Sequence, residues 1–264
     1  MTTDTAHKDA EQAQRRLITV ASGKGGVGKT WVSVTLSQAL AYMNRRVLLF
    51  DGDLGLANVD IQLGLMPDRD LGDVISGQRT MRDVIDSHSA KGDPIGYDIV
   101  PGKSGSGALG QLARQKLESM RGDLIDLASD YDHVLLDLAA GVDQSVTTLS
   151  HHKGKILTVM TGDPTSLTDA YAFIKLTAMR NPKADIMIVV NNVADKRSGE
   201  RAYEAIKRAC EGFLKISPPL AGIIRSDSRV GDSVRAQVPL LARHPQSEAA
   251  ADIKALAGRL TKGS

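Results

Sequence analysis

The stretch SGKGGVGKT, Ser22 to Thr30, constrains the fold of this chain more than any other feature. It contains the pattern Gly-x-x-x-x-Gly-Lys-Ser/Thr, supplied by Gly23, Gly28, Lys29 and Thr30, with Lys24, Gly25, Gly26 and Val27 between. A loop of that kind works only between a buried strand and the first turn of a helix. Both flanks are present. LITVAS precedes it as a short apolar run, and in TWVSVTLSQALAYM the residues Val32, Leu36, Ala39, Leu40 and Met43 fall at helical spacing and predict a helix with one apolar face. Backbone N–H groups of such a loop, with the positive end of the helix, form a concave anion site for a β-phosphate. Lys29 is then expected on the β- and γ-phosphates and the Thr30 hydroxyl on Mg²⁺. Lys24 is surplus to holding one nucleotide.

Further runs rich in Val, Ile and Leu recur along the chain: RVLLFD, YDIVPG, HVLLDLA, KILTVM, DIMIVVNN and LAGIIR. Runs of this type read as strands buried on both faces. Helical patterns fit LTDAYAFIKLTAMR, ended by Asn181-Pro182, then GERAYEAIKRACEGF and QSEAAADIKALAGRL. The expected class is α/β, a mostly parallel central sheet flanked by helices. Residues 1–16 are expected to be disordered and residues 17–264 to form a single P-loop domain.

Phosphate chemistry with magnesium also needs an acid at the end of a buried strand. HVLLDLAAG offers Asp137, with Gly141 four residues on, where a backbone can approach a γ-phosphate and swing away when it is lost. The segment through Asp143 is therefore a switch candidate. Asp51 and Asp53 follow RVLLF as a second acid pair suited to orienting water or metal, or to capping a loop.

Composition excludes other classes. With 42% hydrophobic and 24% charged residues in 264, the chain is neither disordered, collagenous nor coiled coil. One cysteine, Cys210, cannot make an internal disulfide or cage an iron–sulfur cluster. The first sixteen residues lack the apolar core of a signal peptide, and no window reaches the length of a membrane span, so a cytoplasmic location is expected. A net charge of +2 does not announce a nucleic-acid binder, although residues 181–264 hold 14 Lys and Arg against 9 Asp and Glu. Ile253, Leu256 and Leu260 form a narrow apolar stripe padded with alanine, expected to be the last core helix rather than a lipid-binding one.

KGGVGKT with Lys24, DGDLGLANVDIQLGL, DLAAG and VVNN together resemble the deviant Walker A ATPases, the MinD/ParA group of SIMIBI P-loop proteins, in order and spacing over nearly the whole chain. DLGLANVDIQLGL, LGDVISGQRTMRDVI and GDPTSLTDAYAFIK are most similar to the FlhG/FleN branch, which governs flagellar number and placement. The resemblance implies slow ATP hydrolysis with ATP and Mg²⁺ as cofactors, in a homodimer formed with ATP. It implies that Lys24 reaches across the dimer to the partner's phosphates, that Asp53 positions the attacking water and touches the metal shell with Asp137, and that Asn191 contacts the adenine. Trp31 and Leu138 depart from the pattern, and the loss of a polar contact near Mg²⁺ at either is expected to slow hydrolysis. EQAQRRL echoes the branch's N-terminal helper motif but lacks its spacer. Implied partners are a signal-recognition-type flagellar GTPase, a flagellar switch-complex component or a flagellar transcription activator, with a weak or partner-mediated hold at the membrane or cell pole. Two other family roles stay open: a ParA-type partition ATPase binding DNA non-specifically, and a MinD-like division-site regulator.

Overall fold

The computed structural model describes residues 3–53, 55–90, 93–102 and 112–262. Eight strands run through them: β1 (Leu17–Ser22), β2 (Val47–Gly52), β3 (Asp86–Ser89), β4 (Gly96–Val100), β5 (His133–Ala140), β6 (Lys155–Met160), β7 (Asp185–Val193) and β8 (Leu220–Arg225). The helices are α1 (Thr3–Arg15), α2 (Lys29–Ala41), α3 (Val59–Leu63), α4 (Leu71–Ile75), α5 (Arg114–Leu127), α6 (Gln144–Leu149), α7 (Pro164–Arg180), α8 (Lys196–Ala209), α9 (Ser228–Ala236), α10 (Leu240–Arg243) and α11 (Glu248–Thr261). The strands form one sheet in the order β3-β4-β2-β5-β1-β6-β7-β8, parallel except for the β3–β4 pair.

Alternation along the strands sends side chains into two separate cores. Leu48, Phe50, Leu136 and Leu138 face the side covered by α5, α6, α7 and α8. Leu49, Leu135, Ile18 and Val20 face the side covered by α2, α10 and α11. Both faces are thus dry, which is why the seven apolar runs read as continuous rather than alternating. The eighth strand, β3, is DSHS on the sheet edge, mostly exposed, and has no apolar signal to betray it.

Three expectations change. The segment expected to be disordered is helix α1, with residues 1 and 2 outside the described residues. It docks through polar geometry that an apolar stripe search does not see. The Arg16 guanidinium donates to the carbonyls of Ala128, Ser129 and Tyr131 at 2.9–3.0 Å just past α5, Glu11 pairs with Arg15 and Lys153, and Ala13 is buried. Helix α2 has no exposed face over most of its length: every residue from Trp31 to Ala41 is buried, because the sheet, α3, α10 and α11 surround it. Helix α8 stops at Ala209 and continues as one π-helical turn, Cys210–Leu214, burying Cys210. At the other end of the chain α11 behaves as expected. Ile253, Leu256 and Leu260 are all in the core, and re-exposing three such side chains would cost roughly 5 kcal/mol. No helix among the described residues is long and apolar enough to cross a membrane.

Candidate functional site

The carboxyl ends of β1, β2 and β5 lie side by side, and the loop after β1 rises directly into α2. Gly28, at φ +89°, is the residue before α2, and this left-handed turn is open to glycine at little cost. No side chain caps the helix start, so its first-turn N–H groups face the loop without a side-chain acceptor. Gly23 is required for a different reason: a Cβ there would lie 1.9 Å from the Asp169 carbonyl oxygen, so the loop's first residue sits under α7. Val27 is buried and its carbonyl accepts from Asn191 Nδ2 at 2.8 Å. Gly25 and Gly26 are exposed, and Thr30 is half-buried.

Behind the loop are the acids. Parallel register places Asp51 opposite Asp137, and strand alternation turns both toward α2. Asp137 accepts from Ser33 Oγ at 2.9 Å; Ser33 lies one helical turn after Lys29. Burial raises the Asp137 carboxyl above its ordinary range, against the pull of Lys29, Thr30 and Ser33. Asp51 is pushed up to about 8 by burial and by Asp137, although it accepts the backbone N–H groups of Asp53, Asn58 and Val59. Asp53 is half-buried and accepts from Gly55 N at 3.3 Å and Leu56 N at 3.0 Å, so it folds its own loop into an Asx turn. The Lys29 ammonium, on a residue only 9% exposed, has no hydrogen-bond or ion-pair partner among the described residues. An uncapped helix start, an unpaired ammonium on a mostly buried lysine and a carboxyl held toward its neutral form fit a phosphate chain with a divalent cation: the anion would satisfy the first two and the cation would ionise the third.

Two expected residues are placed differently. Asn191 donates its amide to the loop backbone, so its first contact is structural, while it also lines a groove with Trp31, Asn192, Ile224 and Arg225 beside Gly26–Gly28. Leu138 points to the opposite core, where a Cβ on Gly52 would meet its Cδ2 at 2.7 Å; it is not near the acids, and the expected loss of a polar contact there does not arise. Gly141 has φ +100° and donates to the Ser22 carbonyl at 2.8 Å, and Asp143 caps α6 by accepting from Val146 N.

Lys24 is exposed, and its Nζ donates to Thr165 Oγ1 at 2.9 Å in the first turn of α7. Thr165 was not legible in sequence, lying 141 residues away. Ser33 was also missed in the sequence, although its position one turn beyond Lys29, on a helix facing the strand that ends in Asp137, is a signal that could have found it.

This fold and this site define a P-loop ATPase. Residues 18–240 match the model of the CobQ/CobB/MinD/ParA nucleotide binding domain, and the chain belongs to that family. It is 36% identical over 245 residues to the antiactivator FleN of Pseudomonas aeruginosa, covering 93% of this chain and 86% of that one. It is 28% identical over 246 residues to the flagellum site-determining protein YlxH of Helicobacter pylori, covering 93% and 81%. The cell division ATPase MinD of Pyrococcus furiosus superposes with a TM-score of 0.78 at 25% identity, over 95% of this chain and 100% of that structure.

Proposed function

We propose that this chain is an ATP-dependent dimerisation switch with slow ATPase activity that regulates flagellar number or placement. The observation that carries the reading is the pairing of two lysines with different surroundings: Lys29 buried behind the glycine loop, and Lys24 exposed at its front, resting on Thr165. One lysine holds nucleotide within the chain, and the other, once released from Thr165, acts on a second copy. Likeness to the FleN and YlxH proteins over nearly the whole chain supports the flagellar role.

ATP and Mg²⁺ are the cofactors; together they supply a phosphoryl group that water can attack once its charge is neutralised. Gly23, Lys24, Gly25, Gly26, Val27, Gly28, Lys29, Thr30 and Trp31 would hold the nucleotide, with Gly141 near its terminal phosphate and Asn191 and Trp31 along the groove toward its base. Thr30, Asp53 and Asp137 would hold the metal, directly or through water. Lys29 and Lys24 neutralise phosphate charge, and Asp53 orients water. Asp53 has to leave its Asx turn to do so, which makes hydrolysis slow until a second chain reshapes that loop. Leu56, Ile61 and Met66 stand exposed just after this loop, at 56–96% exposure, on the surface a partner would read. A switch is useful only to a partner that binds its two states unequally. A flagellar GTPase, switch-complex component or transcription activator is the partner expected here. Of the fourteen Lys and Arg in residues 181–264, Arg225, Arg229 and Arg243 are tied into ion pairs with Asp252, Glu248, Asp227 and Asp232, which lowers the charge left for non-specific DNA binding.

The test is a deletion strain together with light scattering of the purified protein. Altered flagellar number or position with normal chromosome segregation, and a dimer formed with ATP but not ADP, is the expected pair of results. Normal flagella with anucleate cells would overturn the flagellar reading; a monomer with ATP would overturn the switch.

A further inference from the structure

At the opposite end of the sheet from the glycine loop, where β1, β5, β6 and β7 begin, lies a cavity of about 560 Å³. Its walls come from the strand starts, from α1, from the turn before β2 and from the end of α11. Five cations line it: Arg15, Arg16, Arg45, Lys153 and Lys155. The carboxylates in the lining are Asp132 and Asp185, and Glu11 stands just outside. Most of these charges are committed. Glu11 bridges Arg15 and Lys153, Asp132 pairs with Arg46, and Arg16 is held by three carbonyls that leave its charge uncompensated. Arg45 and Lys155 make no ion pair within 4 Å among the described residues; Asp185, opposite Lys155 in the β6–β7 register, is likewise unpaired, so the lining keeps five cations against two carboxylates.

His133 supplies the second observation. It is 5% exposed and lines the cavity, and its ring nitrogens have no hydrogen-bond partner among the described residues. Burial and the positive charges of Arg45, Lys155 and Arg16, only partly offset by Asp132, push its imidazole down to about 4. The pocket is partly open, with Arg15 and Arg45 exposed at its rim, and its volume falls within the roughly 300–1,000 Å³ typical of small-ligand sites. We infer that this cavity is a second anion site, built for a small ligand bearing one or more phosphate groups, which Arg45 and Lys155 contact directly and His133 meets at the floor. Because α1 forms one wall, the bound anion would also hold α1 against the sheet.

The probe is inorganic pyrophosphate, titrated into the full chain with Mg·ADP in excess so that the glycine loop is filled. Calorimetry should show one further site whose affinity falls as salt rises, and Arg45→Glu should weaken it at least about tenfold. Arg45 is exposed, so this variant should keep the fold; Lys155→Gln serves as an independent second variant and should weaken binding in the same direction. In parallel, the His133 imidazole followed by NMR should titrate at higher pH with pyrophosphate bound, because the anion reverses the sign of the local field. Orthophosphate and a nucleoside monophosphate in place of pyrophosphate distinguish a free-phosphate source from a nucleotide one. Unchanged affinity in both variants, an unmoved His133 titration, or binding of DNA oligomers without any of the phosphate probes would overturn the inference.

Discussion

The two ends of the parallel sheet both bury ionisable groups, yet they are short of opposite things. At the carboxyl end Asp51 and Asp137 are held toward their neutral, protonated forms by burial. At the amino end His133 and His152 are held neutral by losing protons, His152 down to about 3 with its Nδ1 accepting from Gly154 N and its Nε2 facing Thr19 Oγ1. Burial favours the uncharged form in each case. What differs is the company: an uncapped helix and Lys29 stand beside the acids, whereas arginines and lysines surround His133. The carboxyl end is therefore prepared for a cation bridged to an anion, and the amino end for an anion alone.

The largest expected effect removes the charge that sets the carboxyl end apart. Lys29→Ala should lower ATP affinity by at least about 100-fold, since a charge-assisted contact to the phosphates is lost; titration of a fluorescent ATP analogue checks it, and an unchanged constant would erase the contrast between the ends. Next comes acid. Lowered imidazole pKa values mean that the unfolded chain binds more protons below pH 6.5, so the amino end loses stability as pH falls through that range, while the raised carboxyls at the other end act in the opposite sense. Replacing His152 with Gln isolates one side: its stability difference from the parent should change by roughly 3 kcal/mol between pH 7 and 4.5 in urea melts. A constant difference would mean that His152 is charged or solvated.

Within the carboxyl end, Lys24→Ala should weaken the ATP dimer by about 100-fold and leave monomeric ATP binding nearly unchanged, as read by light scattering and by nucleotide titration. Asp53→Ala should slow turnover by at least about tenfold while the dimer persists, because the residue orients water rather than holding the chains together. Thr165→Val is the smallest change. It frees the Lys24 ammonium from its resting contact and should strengthen the ATP dimer by about threefold, a single exposed hydrogen bond being worth little. No change there would show that the contact imposes no barrier.

Much of the fold was legible because burial on both sheet faces leaves a plain apolar signature; LITVAS, KILTVM and LAGIIR coincide with β1, β6 and β8 residue for residue. Helix α1 and strand β3 were not, since one is anchored by the Arg16 guanidinium just past its end, the Glu11–Lys153 pair and the single buried Ala13, and the other is an exposed polar edge, and neither leaves a periodic trace. For the site, the loop lysine and the two strand-end acids followed from spacing and from what precedes them. Thr165 and the amide of Asn191 depend on contacts across 141 and 164 residues, which only the folded chain reveals.

Trp31, the chain's one tryptophan, is 7% exposed in the turn after the glycine loop, with its indole Nε1 buried and unpartnered. Its fluorescence should be blue-shifted, as expected for an indole shielded from water. Because the same ring lines the groove beside Gly26–Gly28, any occupant of that groove will alter its emission. The protein thus carries a built-in optical reporter at its loop, and filling and emptying can be timed in unlabelled material by stopped-flow alone.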